Sequence, residues 1–305
     1  MAKLTDEQFS AYLAEAKAKL SAELPIAAEK KINYGYQYTV KLAEAKLTLN
    51  IYNGKKGLNI VYSGDSALAE RAAALLEGRK AKAAAPATFV TDGLWAGSDE
   101  SGKGDFFGSL VVAAVVVDNT TADKLRAAGV KDCKLLTDKK ILELEAIIKA
   151  SVVDYSVLEL KPRVYNLRYE QVAAQGGKLN QLLGYGHVAA LSRVLEKHED
   201  CHSALIDQFT TSMVNIRALK QRFPQCDVRQ QPKAESNLAV AAASVLARAQ
   251  FLHTMAALAA EAGVQELPKG GGAQATACAR ELAAKYGKEA LRNYVKLHFA
   301  NYQRV

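Results

Sequence analysis

Apolar positions recur with two different periods along the first third of the chain. Phe9, Tyr12, Leu13, Ala16 and Leu20 fall on one helical face behind Thr5-Asp6-Glu7-Gln8, which has the spacing of a capping box. A helix is predicted there. Tyr34, Tyr36, Tyr38 and Val40 then alternate with Gly35, Gln37, Thr39 and Lys41, the period-2 pattern of a half-buried strand. Leu47 to Ile51 and Leu58 to Tyr62 predict two more strands, joined by the turn Asn53-Gly54-Lys55-Lys56-Gly57. Asp65 or Ser66 can cap a second helix through Leu68, Ala72, Leu75 and Leu76, ending near Gly78. These elements make a small α+β domain over residues 1–85. Arg79 to Pro86, small and basic with a terminal proline, reads as a linker of about residues 79–88. The three tyrosines are either core beneath the helices or a stacking surface.

From residue 89 onward the pattern changes to apolar runs interleaved with long helical stretches. Leu94-Trp95-Ala96 and the unbroken run Leu110 to Val117 predict a hairpin of two strands buried on both faces. Val152 to Leu160 and Ser203 to Phe209 predict further strands. Helices are expected around Leu125 to Ala128, behind Thr137 or Asp138 through Ile148, across Tyr165 to Glu196 with a break at Gly176-Gly177, and along Leu238, Ala241, Ala242, Val245 and Ala249. The last stretch, after Leu267-Pro268-Lys269-Gly270-Gly271-Gly272, is a loop followed by helices. An α/β domain with a mixed sheet over residues 89–305 is the expected second unit.

Charge narrows the choice of partner. The 305 residues carry a formal net charge of +8, and residues 1–88 alone hold 13 Lys and Arg against 9 Asp and Glu. The shorter N-terminal part is thus the more basic per residue, which favours an acidic ligand. The run Leu110 to Val117 is far shorter than the roughly 18 residues of a membrane span, and Lys3, Asp6 and Glu7 leave no signal-peptide core, so a soluble protein is expected. Cys133, Cys201, Cys226 and Cys278 form no C-x-x-C pair, which suits a reducing cytoplasm. Cys201 lies beside His198 and His202, but in a charged segment these read as solvent-facing.

Chemistry concentrates between the two strands of the hairpin. Gly97-Ser98-Asp99-Glu100-Ser101-Gly102-Lys103-Gly104-Asp105-Phe106-Phe107-Gly108 sets two adjacent carboxylates before a glycine-rich basic turn. Neighbours on a strand point to opposite faces, so Asp99 and Glu100 can share a site only if the chain bends or twists. Gly102 and Gly104 can take positive φ and expose backbone N–H groups, with Lys103 adding charge, as a phosphodiester would require. The spacing is not the dinucleotide-binding G-x-G-x-x-G. A plain hairpin turn with solvated acids is the simpler alternative. Two further acids stand out: Asp207 near the end of an apolar strand, where a buried lone charge is unfavourable unless paired, and Glu235 in Lys233-Ala234-Glu235-Ser236 at the head of an alanine-rich helix. There an anion can simply complement the helix dipole.

Asp99 to Gly108 resembles the first motif of the type 2 ribonucleases H, and specifically that of bacterial ribonuclease HIII, to which Asp105-Phe106-Phe107 points. Lys131 to Lys140, Leu205-Ile206-Asp207-Gln208-Phe209 and Lys233 to Ser236 extend the resemblance over the second domain. The resemblance implies a ribonuclease H-like fold behind an N-terminal domain similar to one repeat of the TATA-binding protein, used to grip substrate. It implies endonucleolytic hydrolysis of the RNA strand of an RNA–DNA hybrid, leaving 5′-phosphate and 3′-hydroxyl ends. It also implies four metal-binding catalytic carboxylates, Asp99, Glu100, Asp207 and Glu235. Four such acids repel one another, and two Mg²⁺ or Mn²⁺ ions roughly 3.5–4 Å apart would relieve that repulsion. Oxygen-only ligation favours these hard ions over zinc.

Gly102, Lys103 and Gly104 are then the expected readers of the 2′-hydroxyl, and Lys41, Lys46, Lys55 and Lys56 the expected phosphate contacts of the N-terminal domain. Three positions depart from the family pattern: Ser109 stands in place of a proline, Cys133 of a serine and Leu135 of a lysine. His187, Lys296 and His298 are read as structural, and Arg248 as an ion-pair partner or a solvated charge. A monomer with no protein partner is the default. The rival readings are cleavage at single ribonucleotides in duplex DNA, as by ribonuclease HII, and a hybrid-binding protein without catalysis.

Overall fold

Capping and period-2 alternation build the first unit. A computed structural model of the chain describes residues 3–42, 45–54, 57–77, 89, 91–210 and 212–305, and the chain divides into two compact units, residues 1–89 and 90–305. In the first, the Thr5 hydroxyl accepts from the Gln8 N–H at 3.2 Å while Gln8 Oε1 accepts from the Thr5 N–H at 3.0 Å, starting helix α1 (Asp6–Glu23). Strands β1 (Ile26–Ile32), β2 (Gly35–Leu42), β3 (Ala45–Gly54) and β4 (Gly57–Gly64) form an antiparallel sheet in that order. The Asp65 carboxylate accepts from the Leu68 N–H at 2.9 Å and caps helix α2 (Ser66–Glu77). Leu13, Ala16 and Leu20 of α1, Leu68 and Ala72 of α2, and Tyr38, Val40, Leu47, Leu49 and Ile51 of the sheet close one core. The opposite sheet face keeps the polar alternates.

Two expectations change here. The sequence pattern predicts three strands, and β1 is a fourth. It is an edge strand exposed at five of its seven positions, so Ile-Ala-Ala-Glu-Lys-Lys-Ile carries no alternation to read. The tyrosines also separate. Tyr38 is core, whereas Tyr34 lies in the turn before β2 at φ 61 and is 79% exposed. The linker, Lys55 and Lys56 lie outside the described residues.

The second unit opens with β5 (Leu94–Ser101) and β6 (Leu110–Val117), paired antiparallel. Next come α3 (Asn119–Ala127), α4 (Asp138–Ser151), β7 (Asp154–Leu160), α5 (Pro162–Ala174) and α6 (Leu179–Leu195). The chain then adds β8 (Cys201–Asp207), α7 (Val214–Arg222), β9 (Asp227–Gln231), α8 (Leu238–Ala262), α9 (Ala273–Tyr286) and α10 (Ala300–Gln303). The sheet order is β7-β6-β5-β8-β9. It is mixed, with β7-β6-β5 antiparallel and β5-β8-β9 parallel. Strand β9, short and polar at the edge, has no counterpart in the sequence reading.

All eight residues of β6 are buried because helices cover both faces of the sheet. Ala96, Val112, Ala114 and Val116 meet Ala190, Leu191 and Val194 of α6, while α8 lies on the other face against β5 and β6. The length and apolarity of α8 would suffice for a membrane span, but the helix is core, buried on nearly every side from Ala239 to Ala249. That explains its weak periodicity.

Candidate active site

The acids meet at the end of the sheet through strand register. Strands β5 and β8 run parallel, their last pair is Ser98 with Ile206, and the next residues on each are Asp99 and Asp207. On its other edge β5 stays in register with β6 through Asp99–Ala113, Glu100–Val112 and Ser101–Val111. No bulge is needed to bring the acids together. Asp99 and Glu100 leave opposite faces of β5, yet both line one cleft of about 470 Å³ at the strand end, with Asp207, Gly102, Lys103, Gly104, Cys133, Lys134 and Arg248.

Each acid has its own protein partner. Asp99 Oδ1 accepts the Glu100 N–H at 2.7 Å; burial, and after it the charges of Glu100 and Asp207, push this carboxyl well above the usual range. Burial also pushes Glu100 upward, but the hydrogen bond from His187 at 3.1 Å and the nearby Lys103 ammonium at 3.6 Å bring it below its ordinary value. Asp207 accepts the Ala234 N–H at 3.1 Å and is raised, first by burial and then by the charge of Glu235.

Glu235 is placed differently from the expectation. It lies in a separate 3-10 turn, Ala234–Ser236, entered through Lys233 at φ 56, while Asn237 caps α8 by accepting the Ala239 N–H at 2.9 Å. It lies two residues before the N-cap Asn237 and beside the cleft, close enough for its charge to act on Asp207 and Lys134. Lys134, which the sequence reading passed over, enters the cleft from a 3-10 turn, Cys133–Leu135. Partial burial opposes its charge, but Asp132, Asp99, Glu235 and Asp207 together hold it above the ordinary lysine value. Its signal was available in the lysine-rich run that contains Asp132-Cys133-Lys134.

Of the two glycines expected to take positive φ, only Gly102 does. Its φ is 87, and a Cβ there would lie 2.1 Å from the Ser109 carbonyl; a Cβ on Gly104 would meet open space. Ser109 is fully buried and its hydroxyl has no hydrogen-bond partner, yet the turn is closed. Lys296 closes it. This buried ammonium donates to the carbonyls of Asp105 at 2.8 Å, Phe107 at 3.3 Å and Gly108 at 2.8 Å, and burial brings its pKa down to about 7. His298 stacks on Tyr169 at 4.4 Å. Arg248 pairs with Asp138 of α4 at 3.2 Å, and Lys269 pairs with the same carboxylate. Leu135 is exposed, whereas Cys133 borders the cleft with its N–H donating to Ser244 Oγ at 3.2 Å.

The first unit carries the remaining basic candidates. Lys41 and Lys46 are exposed and directly opposite each other across β2 and β3.

A hard divalent cation fits the donor chemistry of the cleft, since three mutually repelling carboxylates line it and a fourth stands beside it. Among the described residues, however, no three His, Cys, Asp or Glu side chains lie close enough to hold one ion together.

The family model for ribonuclease HII matches residues 96–302, which include all four acids and the whole cleft. Ribonuclease HIII of Protochlamydia amoebophila is 38% identical over 67% of this chain and 65% of its own length; that of Chlamydia pneumoniae is 38% identical over 68% and 69%. The chain belongs to the ribonuclease HIII branch of the type 2 ribonucleases H. A crystal structure of Bst ribonuclease HIII in complex with Mn²⁺ covers 94% of this chain and 94% of its own, with 29% identity and a TM-score of 0.63. The mixed sheet and the four-stranded sheet before it are the fold expected of a ribonuclease HIII. The family model begins at Ala96, so it leaves out the first unit, where Lys41 and Lys46 lie.

Proposed function

We propose that the protein is an endoribonuclease that hydrolyses the RNA strand of RNA–DNA hybrids, leaving 5′-phosphate and 3′-hydroxyl ends. One observation carries this reading: Asp99 and Asp207 end adjacent parallel strands in a cleft that Glu100 and the Gly102 turn also line. Asp99, Glu100, Asp207 and Glu235 would hold Mg²⁺ or Mn²⁺, which when bound supplies Lewis-acid stabilisation of the phosphate charge and an acidified water. Lys103 and Lys134 give the cleft a positive rim that meets the substrate's phosphates. The open space above Gly104 lets the RNA backbone approach the Gly102-Lys103-Gly104 turn, whose polar groups read the 2′-hydroxyl.

The first unit, ending near residue 89, grips the hybrid through Lys41 and Lys46, joined by Lys55 and Lys56 outside the described residues. The protein acts as a monomer in the cytoplasm, where its four free cysteines stay reduced.

The test compares wild type with Asp207→Asn on a labelled hybrid in Mg²⁺, Mn²⁺ or EDTA. Metal-dependent cutting of the RNA strand by wild type, lost in the variant, is expected. Binding without cutting would replace the reading with a hybrid-binding protein. Cutting confined to a duplex with one ribonucleotide would make it ribonuclease HII-like.

A further inference from the structure

His187 has no part in the reading above, yet its ring joins two residues of β5. It lies at the middle of α6, fully buried, with Nδ1 2.9 Å from Ser98 Oγ and Nε2 3.1 Å from Glu100 Oε2. Ser98 and Glu100 are two residues apart on one strand, hence on the same sheet face, and the imidazole spans the gap between them. Two features hold the ring there. Gly186 lets α6 sit against the sheet, since a Cβ on it would fall 2.8 Å from the Val112 side chain. Phe209, just past the end of β8, stacks on the ring at 4.8 Å and 7°.

The hydrogen-bonding chemistry then orders the protons. An ionised carboxylate only accepts, so the Nε2–H donates to Glu100; in a neutral ring Nδ1 is left as acceptor, and the Ser98 hydroxyl donates to it. We propose that Ser98, His187 and Glu100 form a relay in which Ser98 selects the Nε2–H tautomer and His187 aims the Glu100 carboxylate for metal binding. His187 is thus a positioning residue, and Ser98 positions it in turn. This deepens the nuclease reading and rests on it. Without the relay the remaining side-chain partner of Glu100 among the described residues is Lys103, a partly exposed ammonium. Partners that orient a metal ligand in this way typically change metal affinity by roughly 10–100-fold when removed.

The experiment uses the full chain as wild type, Ser98→Ala and His187→Gln. Long-range ¹H–¹⁵N spectra of wild type should show a proton on His187 Nε2, and Ser98→Ala should mix the tautomers. Mn²⁺ titration followed by electron paramagnetic resonance, without substrate, should show weaker binding by about 10-fold or more in His187→Gln and by a smaller factor in Ser98→Ala. Hybrid binding in EDTA should match wild type. If His187→Gln fails to fold, Ser98→Ala, which removes a single buried oxygen, carries the test alone. An Nδ1–H tautomer in wild type overturns the relay. So does Mn²⁺ affinity within twofold of wild type in the variants while wild type binds the ion and cuts hybrid. A wild type that neither binds Mn²⁺ nor cuts hybrid overturns the nuclease reading first and the relay with it.

Discussion

The two units hold their charges in opposite ways. At the ends of β5 and β8, Asp99 and Asp207 are withdrawn from water, each tied to a backbone N–H, and burial with neighbouring charge pushes both carboxyls up. On the first sheet, Lys41 and Lys46 face each other across a strand pair and are exposed to solvent. Charges of the first kind interact strongly and depend on geometry; those of the second are screened over about 8 Å at physiological salt and act nearly additively. Chemistry at one phosphate needs the former, and holding a polyanion needs only the latter. Substitutions in the two places should therefore fail differently.

The largest separation is expected from Asp99→Asn. Cleavage should fall by about 10³-fold or more, as for other groups that work as one unit, while the metal-free protein becomes more stable. The sign follows from linkage. Asp99 has a folded pKa above its unfolded value, so the folded state binds more protons, and wild-type stability in EDTA declines as pH rises from the ordinary carboxylate range through the raised value. An uncharged amide removes that contribution. Thermal melts of wild type and variant in EDTA across this range measure it; a variant melting below wild type at neutral pH would show that the buried charge is not a source of strain.

The glycine pair gives a sharper contrast within the turn itself. Gly102→Val would place a Cβ against the Ser109 carbonyl at a φ that L-residues rarely adopt, so it should lower stability by about 2 kcal/mol or more and abolish cleavage. Gly104→Ala meets open space, so its melting temperature should stay within a degree or two of wild type. Any loss in that variant should appear only as slower cutting of bound hybrid. Equal destabilisation of both variants would mean that the turn, rather than the space above it, sets the requirement at 104.

How far the sequence spoke for the fold differs along the same divide. The hairpin of β5 and β6 was readable because both faces of its second strand are covered, leaving an unbroken apolar run, and the motif acids sit at its mouth. Strands β1 and β9 escaped because edge strands with polar faces carry no period. In sequence Glu235 reads as part of a helix head because nothing in Ala-Glu-Ser marks a separate turn; the stop is made by Lys233 at positive φ and by Asn237 as the cap. Arg248 and Lys296 find their partners far away in sequence, on Asp138 and on the carbonyls of Asp105, Phe107 and Gly108. Local pattern cannot reach that far. Thus Asp99, Glu100, Asp207 and Glu235 stand out by motif and Lys134 by its lysine-rich run, while the contacts of His187 with Glu100 and of Lys296 with the carbonyls of the turn are made only across the fold.

The smallest effect is expected from the exposed pair. Like charges directly opposite on neighbouring strands are mildly destabilising, so Lys41 and Lys46 oppose each other in the free protein, and a phosphate between them would offset that repulsion. Replacing both with threonine, which suits an exposed strand, should raise the melting temperature slightly and weaken hybrid binding only several-fold. The dependence of log affinity on log salt should lose a slope of roughly one to two, one unit or less for each phosphate contact removed. Cleavage at saturating hybrid should continue at close to the wild-type rate, because neither lysine belongs to the unit that holds the cleft. An unchanged salt slope would take the grip away from this end of the β2–β3 pair and assign it to basic residues elsewhere, with Lys55 and Lys56 the next to replace.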